Sequence, residues 1–212
     1  MFVVIFEVQP KPDRWDGYLE TAGLLRPDLV QVDGFLDNER FRSERTEGRV
    51  LSLSTWRDEK ALIRWRTQAT HHTLGQERGR FEIFADYHLR VGEVMADSAA
   101  NEGAILGGQR FDVTEVGQAT VVTLTEVADG DGGTRALDVP EVGAFGLLGR
   151  EWFTSLTTIG KRIVLASWTD ASAASAFRPT IGPNAWHRQV RIIRDYGMRD
   201  RCEAPQYFPD VD

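Results

Sequence analysis

Residues 54–61 read STWRDEKA, and residues 166–173 read ASWTDASA. Both stretches share the pattern Trp-x-Asp-x-x-Ala, in which a strand-ending tryptophan precedes an aspartate suited to cap a helix. A second match follows each of them, DYHLR at residues 86–90 and DYGMR at residues 195–199. Because the two matches keep their order and nearly their separation, they indicate that the chain contains two copies of one module.

The first copy alternates between segments with strand and helix character. Short β-branched or alternating runs predict strands at residues 2–8, 35–43, 49–56 and 81–91. Helices are predicted over residues 14–25, ended by Pro27, then after Asp58, and over residues 71–76. The order strand, helix, strand, strand, helix, strand is the ferredoxin-like plan, an antiparallel sheet with helices on one face.

The second copy follows the same plan with a shorter first helix. Residues 98–108 are rich in Ala, Gly and Asn and predict a linker, which separates modules at residues 1–97 and 109–212. Strands are predicted at residues 119–127, 149–156, 162–168 and 189–199, and helices at residues 134–137 and 170–177. Because a one-sided apolar sheet has to bury its bare face, we predict an α+β fold whose two sheets pack face to face as a pseudo-dimer within one chain.

Composition and charge argue against several classes of protein. Apolar residues make up 42% and charged residues 27% of the 212 residues, which is typical of globular domains. The formal charge of -7 and the lack of a Lys/Arg block argue against nucleic acid or an anionic membrane as a partner. Cys202 is the single cysteine, which excludes an intrachain disulfide. With no signal-peptide pattern and no apolar run long enough to span a bilayer, we expect a cytoplasmic protein.

The first copy resembles the antibiotic biosynthesis monooxygenase family of dimeric α/β-barrel proteins. The resemblance covers residues 1–96 and rests on residues 54–61, Trp65, His72, residues 76–80 and residues 86–91. It implies a pocket between the helices and the sheet face, and an oxygenase that needs no metal or flavin. A deprotonated phenol or enol then gives an electron to oxygen, while the protein supplies a dry pocket, a base and a group that holds the developing anion. The implied substrate is an electron-rich aromatic or polyketide-like molecule.

Five residues of the first copy are candidates for this site. His72 and Tyr87 are the candidate catalytic groups, and Trp65, Trp56 and Leu62 are the candidate substrate contacts. Trp65 and His72 are seven residues apart, so a continuous helix would place them on one face. Tyr87 belongs to the apolar face of its strand, where its hydroxyl needs a hydrogen-bonding partner.

Structural roles are the alternative for several of these side chains. Trp56 recurs at the same corner as Trp168, which favours core packing for both. His71 points elsewhere on the helical wheel and is expected to be solvated. His88 and Arg90 alternate with Tyr87 and are expected to meet solvent or the other copy.

Other functions stay open at this point. Haem-degrading relatives pair a Trp and a His on the helix with an Asn on the first strand, whereas this chain has Glu7 near that Asn position and Gly75 at that His position. A haem-binding or other hydrophobic-ligand module, and a duplicate with no pocket, are further alternatives. A cavity lined by both His72 and Tyr87 would favour an enzyme, one lined by Trp and Leu alone would favour binding, and a filled core would favour a structural role. No phosphate-binding glycine loop, Gly-x-Ser-x-Gly elbow or metal-site histidine spacing is present.

Overall fold

Eight strands form one closed antiparallel barrel in the computed structural model, which describes residues 1–101, 103–127, 139–179 and 185–200. The predicted helix at residues 134–137 and Cys202 lie outside the described residues. The strands are β1 (Phe2–Pro10), β2 (Phe35–Ser43), β3 (Val50–Trp56), β4 (Phe84–Asp97), β5 (Val121–Val127), β6 (Leu147–Ser155), β7 (Arg162–Trp168) and β8 (Trp186–Gly197). Around the barrel they follow the order β1-β3-β2-β6-β7-β5-β8-β4.

Each half of the chain supplies four neighbouring strands, and equivalent strands occupy equivalent positions. In the first half the order is β4-β1-β3-β2, and in the second half it is β8-β5-β7-β6. The halves are joined by β4 pairing with β8 and by β2 pairing with β6. The two sheets share one buried core, and their edges also pair with each other, which the sequence did not predict. Closure gives every edge strand a hydrogen-bonding partner.

The interior of the barrel holds a large apolar core to which all eight strands contribute. Its buried members are Val3, Ile5, Phe41, Leu51, Leu53, Val94, Val122, Leu124, Phe153, Ile163, Leu165, Val190 and Ile192. Side chains alternate between the two faces of a strand, so the other set of residues points outward. In the first half that outer face is covered by helices.

The helices lie outside the barrel and follow the strands that the sequence predicted they would follow. They are α1 (Trp15–Gln31), α2 (Glu59–Thr67), a π-helical segment (His71–Ile83) and α3 (Ala171–Ala176). Asp58 and Asp170 cap α2 and α3 as predicted, because each carboxylate accepts a hydrogen bond from a backbone amide three residues later. Within the described residues, no helix has the length and apolar character needed to cross a bilayer.

Several predicted boundaries are wrong, and two of them have a clear physical cause. Pro27 lies inside α1 instead of ending it, and the helix continues because Leu29 in its last turn is buried in the core beneath it. β4 begins at Phe84 instead of residue 81, since the π-helical segment continues through Ile83 and leaves Phe81 71% exposed.

The repeated tryptophans are structural. Trp56 and Trp168 are both fully buried. The indole Nε1 of Trp56 donates to Oγ of Ser54 at 2.9 Å, and that of Trp168 donates to Oγ1 of Thr123 at 3.0 Å. A buried indole N–H needs a hydrogen-bond acceptor, so these two hydrogen bonds allow both tryptophan side chains to be completely buried.

A network of charged side chains spans the inside of the barrel. Glu7 on β1 accepts hydrogen bonds from Arg90 and, at 2.9 Å, from Arg49. His88 on β4 contacts Asp195 on β8, with 2.5 Å between Nε2 and Oδ1. Burial alone would raise the pKa of Glu7, but His88 and the two arginines lower it to about 2. Burial alone would lower the pKa of His88, but Asp195 and Glu7 raise it to about 9. The network therefore ties the two halves together through ionised groups.

The stability of the protein should fall as the pH rises from about 6.5 to about 9, the unperturbed and folded-state pKa values of His88. A group with a raised folded-state pKa stabilises the fold fully below its unfolded-state pKa and loses that contribution as the pH rises through the folded-state value. Melting temperatures across this range should therefore fall more steeply for the natural protein than for the His88→Gln variant. Parallel slopes for the two proteins would contradict the assignment.

Candidate active site

A cavity of about 210 Å³ lies between the helices of the first half and the outer face of its sheet. Strands β1 to β4 and β8 form its floor, while α1, α2 and the π-helical segment form its roof. Arg194 and Tyr196 on β8 belong to the second half, so both halves of the chain complete the cavity. This is the position that the family resemblance implies for a pocket.

The floor is polar at one end and apolar in the middle. The strand register gives one row across the sheet as Arg40, Ser52, Phe6, Leu89 and Tyr196. The adjacent row is Asn38, Ser54, Val4, Val91 and Arg194. Polar side chains therefore stand on β2 and β3, and apolar side chains stand on β1 and β4.

His71 forms part of the roof and stacks against Trp65, with 4.5 Å between ring centroids. Burial lowers the pKa of His71 to about 4, so its ring is neutral at neutral pH. The ring hydrogen-bonds to the backbone carbonyl of Arg66, and its Nδ1 lies 3.2 Å from the side-chain amide nitrogen of Gln76, so both contacts orient it. A Cβ at Gly75 would stand 3.0 Å from Cδ2 of His71, so the glycine makes room for this ring.

Tyr87 and Arg80 form a second polar group on the cavity wall. Nη2 and Nε of Arg80 lie 3.2 and 3.4 Å from the hydroxyl oxygen of Tyr87. The Tyr87 ring is buried and packs against Phe6 and Phe84. Since Arg80 donates to the phenol oxygen, the phenol hydrogen is available to donate to a bound molecule.

Of the five residues predicted for the site, Tyr87, Trp65 and Leu62 line the cavity, whereas His72 and Trp56 do not. The side chain of His72 is 43% exposed and lies 3.5 Å from Glu77. The expectation that His71 is solvated is wrong, because His71 takes the place in the cavity that was predicted for His72. The backbone is extended at Gln68, so α2 and the following segment are not the continuous helix that the spacing argument assumed.

Several residues of the cavity were missed by the sequence analysis. Arg40, Arg66, Arg80, Arg194 and Tyr18 all line it. One signal was present for Arg40, since the predicted strand over residues 35–43 carries polar residues on both faces. Glu7, considered for the Asn position of haem-degrading relatives, points into the barrel and away from the cavity. Across the part of the chain that the structure describes, no group of three His, Cys, Asp or Glu side chains could hold a metal ion.

The chain is similar to known proteins along its whole length. It is 42% identical over 220 residues to the jasmonate monooxygenase ABM of Pyricularia oryzae (strain 70-15), and the match covers 99% of each chain. Residues 1–77 match the family described as antibiotic biosynthesis monooxygenase. Among solved structures, an aldoxime dehydratase matches 96% of this chain and 88% of its own, with a TM-score of 0.57 and 10% identity. An anthrone oxidase-like protein matches 96% of each chain, with a TM-score of 0.40 and 12% identity. The full-length identity to the Pyricularia protein shows that this chain belongs to the antibiotic biosynthesis monooxygenase family.

Proposed function

We propose that the protein is a monooxygenase that oxidises a small, largely apolar ketone or phenol in the first-half cavity, without a metal or flavin. The observation that carries the proposal is the pairing of a neutral His71 and the Tyr87 hydroxyl with an apolar floor in one cavity. Jasmonate is the first candidate substrate, because the relative that shares 42% identity is named for it. Electron-rich aromatic and polyketide-like molecules are the second class of candidates.

The two polar groups suit the formation of an enolate or phenolate. His71 accepts the proton of an acidic C–H or O–H bond, since its neutral ring is ready to take one at neutral pH. Tyr87 donates a hydrogen bond to the oxygen on which negative charge develops, and Arg80 supports it as a nearby cation. The apolar side chains exclude water and so strengthen both interactions.

Without an external reductant, an oxygenase can catalyse only reactions in which the substrate supplies all the electrons that reduce O2. When a methylene group is oxidised to a carbonyl group, one O2 supplies the carbonyl oxygen and the oxygen of one water, and both C–H bonds of the methylene are lost. The substrate then provides all four electrons. Conversion of a C–H bond to C–OH would instead require two electrons from a reductant. The proposal therefore predicts one O2 consumed for each carbonyl formed.

We also propose that the chain is a fused duplicate in which one polypeptide forms the pair that single-module relatives form from two chains. The equivalent strand orders of the two halves, the two buried tryptophans and the two aspartate caps support this interpretation. The second half then supports the first-half site, to which β8 contributes Arg194 and Tyr196.

An oxygen electrode tests the proposed activity. Purified protein, with no metal, flavin or reductant added, is given jasmonate and then a panel of phenolic and polyketide-like compounds, and products are quantified by mass spectrometry. Ala22 on α1 lines the cavity, so Ala22→Phe should fill it and abolish oxygen uptake. Leu24 on the same helix is exposed, so Leu24→Phe is the matched control and should keep full activity.

Three other results would contradict or change the proposed function. No oxygen uptake with any compound would contradict the oxygenase proposal. Oxygen uptake that requires an added reductant would support oxygenase activity but contradict the proposal that the protein needs no cofactor. A Soret shift at one equivalent of added haem, together with a higher melting temperature, would favour the haem-binding alternative, because a ligand that binds the native state stabilises it.

A further inference from the structure

The cavity wall carries a strong excess of positive charge. Four arginines line it, and no Asp or Glu among the described residues does, although the chain as a whole has a formal charge of -7. Two of these arginines are neutralised from outside the cavity. Nη1 of Arg66 lies 2.8 Å from Asp112, and Nη1 of Arg194 lies 2.5 Å from Glu115. A third, Arg40, has no ion-pair partner among the described residues, and such a cation in an otherwise apolar pocket indicates an anionic ligand.

Arg40 is the cavity arginine best placed to meet such an anion. Its guanidinium hydrogen-bonds to the hydroxyl of Tyr18, a neutral group because burial raises the pKa of that phenol. Within the described residues, no carboxylate forms an ion pair with Arg40, and its buried Nε has no hydrogen-bonding partner. The buried Oδ1 of Asn38, two residues earlier on the same face of β2, has no partner either. Buried polar atoms are normally paired, so the Nε donor of Arg40 indicates an acceptor group of a ligand at this end of the floor, whereas the Asn38 oxygen needs a donor such as a hydroxyl or a water.

We infer that Arg40 anchors a carboxylate of the substrate at the β2 end of the cavity, which makes the protein selective for small hydrophobic carboxylic acids over their esters. Arginine suits this role because its planar fork binds a carboxylate through two parallel hydrogen bonds. Ser52, directly beside Arg40, offers a further hydroxyl donor. This inference rests on the proposed function for its substrate, but the anchor itself concerns binding alone.

The anchor also sets the orientation of the bound acid. β2 and β4 are separated by β3 and β1, which is three strand spacings or roughly 14 Å across the floor. A carboxylate at Arg40 would leave the apolar body of the molecule over Phe6 and Leu89. The far end of the molecule would then lie towards Tyr87, where the proposed chemistry takes place.

Binding of acid and ester pairs tests the anchor without requiring turnover. Isothermal titration calorimetry at neutral pH compares jasmonate, octanoate and 4-phenylbutyrate with their methyl esters. The natural protein should bind at least one acid about ten- to hundredfold more tightly than its ester, the range expected for hydrogen bonds to a charged group. Arg40→Met should remove that preference and leave ester affinity unchanged, and Arg40→Lys should retain part of it. Arg42→Met is the matched control, because Arg42 is exposed on the same strand and does not line the cavity.

The outcomes separate the anchor from the proposed activity. Unchanged ester affinity in Arg40→Met shows that the cavity is intact, so a misfolded variant cannot imitate the expected result. Equal affinities for acids and esters in the natural protein, the same preference in Arg40→Met, or no binding of any acid would each overturn the inference. Acid selectivity that depends on Arg40 in a protein that takes up no oxygen would support the anchor and contradict only the monooxygenase proposal.

Discussion

Replacing Arg90 with methionine should lower the free energy of unfolding by about 3–5 kcal/mol, the usual cost of removing one partner from a buried ion pair. The side chain of Arg90 is 3% exposed and that of its partner Glu7 is 6% exposed. Arg90 also donates to Oγ of Ser167 on β7 at 2.8 Å, so it bridges the two halves through the inside of the barrel. Methionine fills a similar volume but leaves the Glu7 carboxylate with less compensating charge. The variant should therefore lose both the ion pair and a contact between the halves.

Urea denaturation of the natural protein and the Arg90→Met variant measures this loss. Arg57→Met is the control, because Arg57 forms its ion pair with Asp33 where both side chains are more than half exposed. Exposed pairs contribute at most about 1 kcal/mol, so the control should change little. The loss in Arg90→Met should also shrink in acid, where the Glu7 carboxylate of the variant becomes protonated and no longer needs a cation. A variant as stable as the natural protein would show that the network does not hold the halves together.

The second large effect concerns activity. With the substrate found by oxygen uptake, His71→Ala should lower kcat/KM by about 10²–10⁴-fold, the contribution typical of a positioned general base. The variant should still fold because the ring is only half-buried, although it loses the stacking contact with Trp65 and the hydrogen bonds to Gln76 and the Arg66 carbonyl. The reason for the loss is the removal of the neutral imidazole that accepts the substrate proton.

His72→Ala is the matched control for this measurement. The two histidines are adjacent in sequence, but His72 is outside the cavity and contacts Gln76 and Glu77. The sequence alone favoured His72 for the catalytic role, so the two variants distinguish the two assignments directly. Full activity in His71→Ala with a large loss in His72→Ala would restore the assignment made from spacing. Full activity in both would mean that neither imidazole accepts the proton.

Most of the strands could be predicted because the signals are local. The sequence pattern around Trp56 recurs around Trp168. Each capping aspartate accepts its hydrogen bond from a backbone amide only three residues later in the chain. The alternation of Tyr87, Leu89 and Val91 correctly predicted the cavity-facing side of β4, since side-chain direction in a strand depends only on parity.

The site was predicted less well because its members come together from distant parts of the chain. Spacing placed His72 with Trp65 by assuming a continuous helix, and the extended residue Gln68 together with the π-helical segment changed which histidine faces the floor. Nothing in the order of residues shows that Arg40 on β2 lies in the same row as Leu89 on β4. That row exists only through the strand register.

The sequence by itself determined the family, most of the strands along the chain and the caps of two helices, because these depend on neighbours along the chain. The tertiary structure alone decided that the two sheets close into one barrel and that the ionised network of Glu7, His88 and Arg90 lies inside it. It also decided that four arginines surround one apolar cavity. The physical reason is that edge strands pair, and buried charges find partners, between residues that are far apart in the sequence. Local sequence patterns carry no information about such contacts.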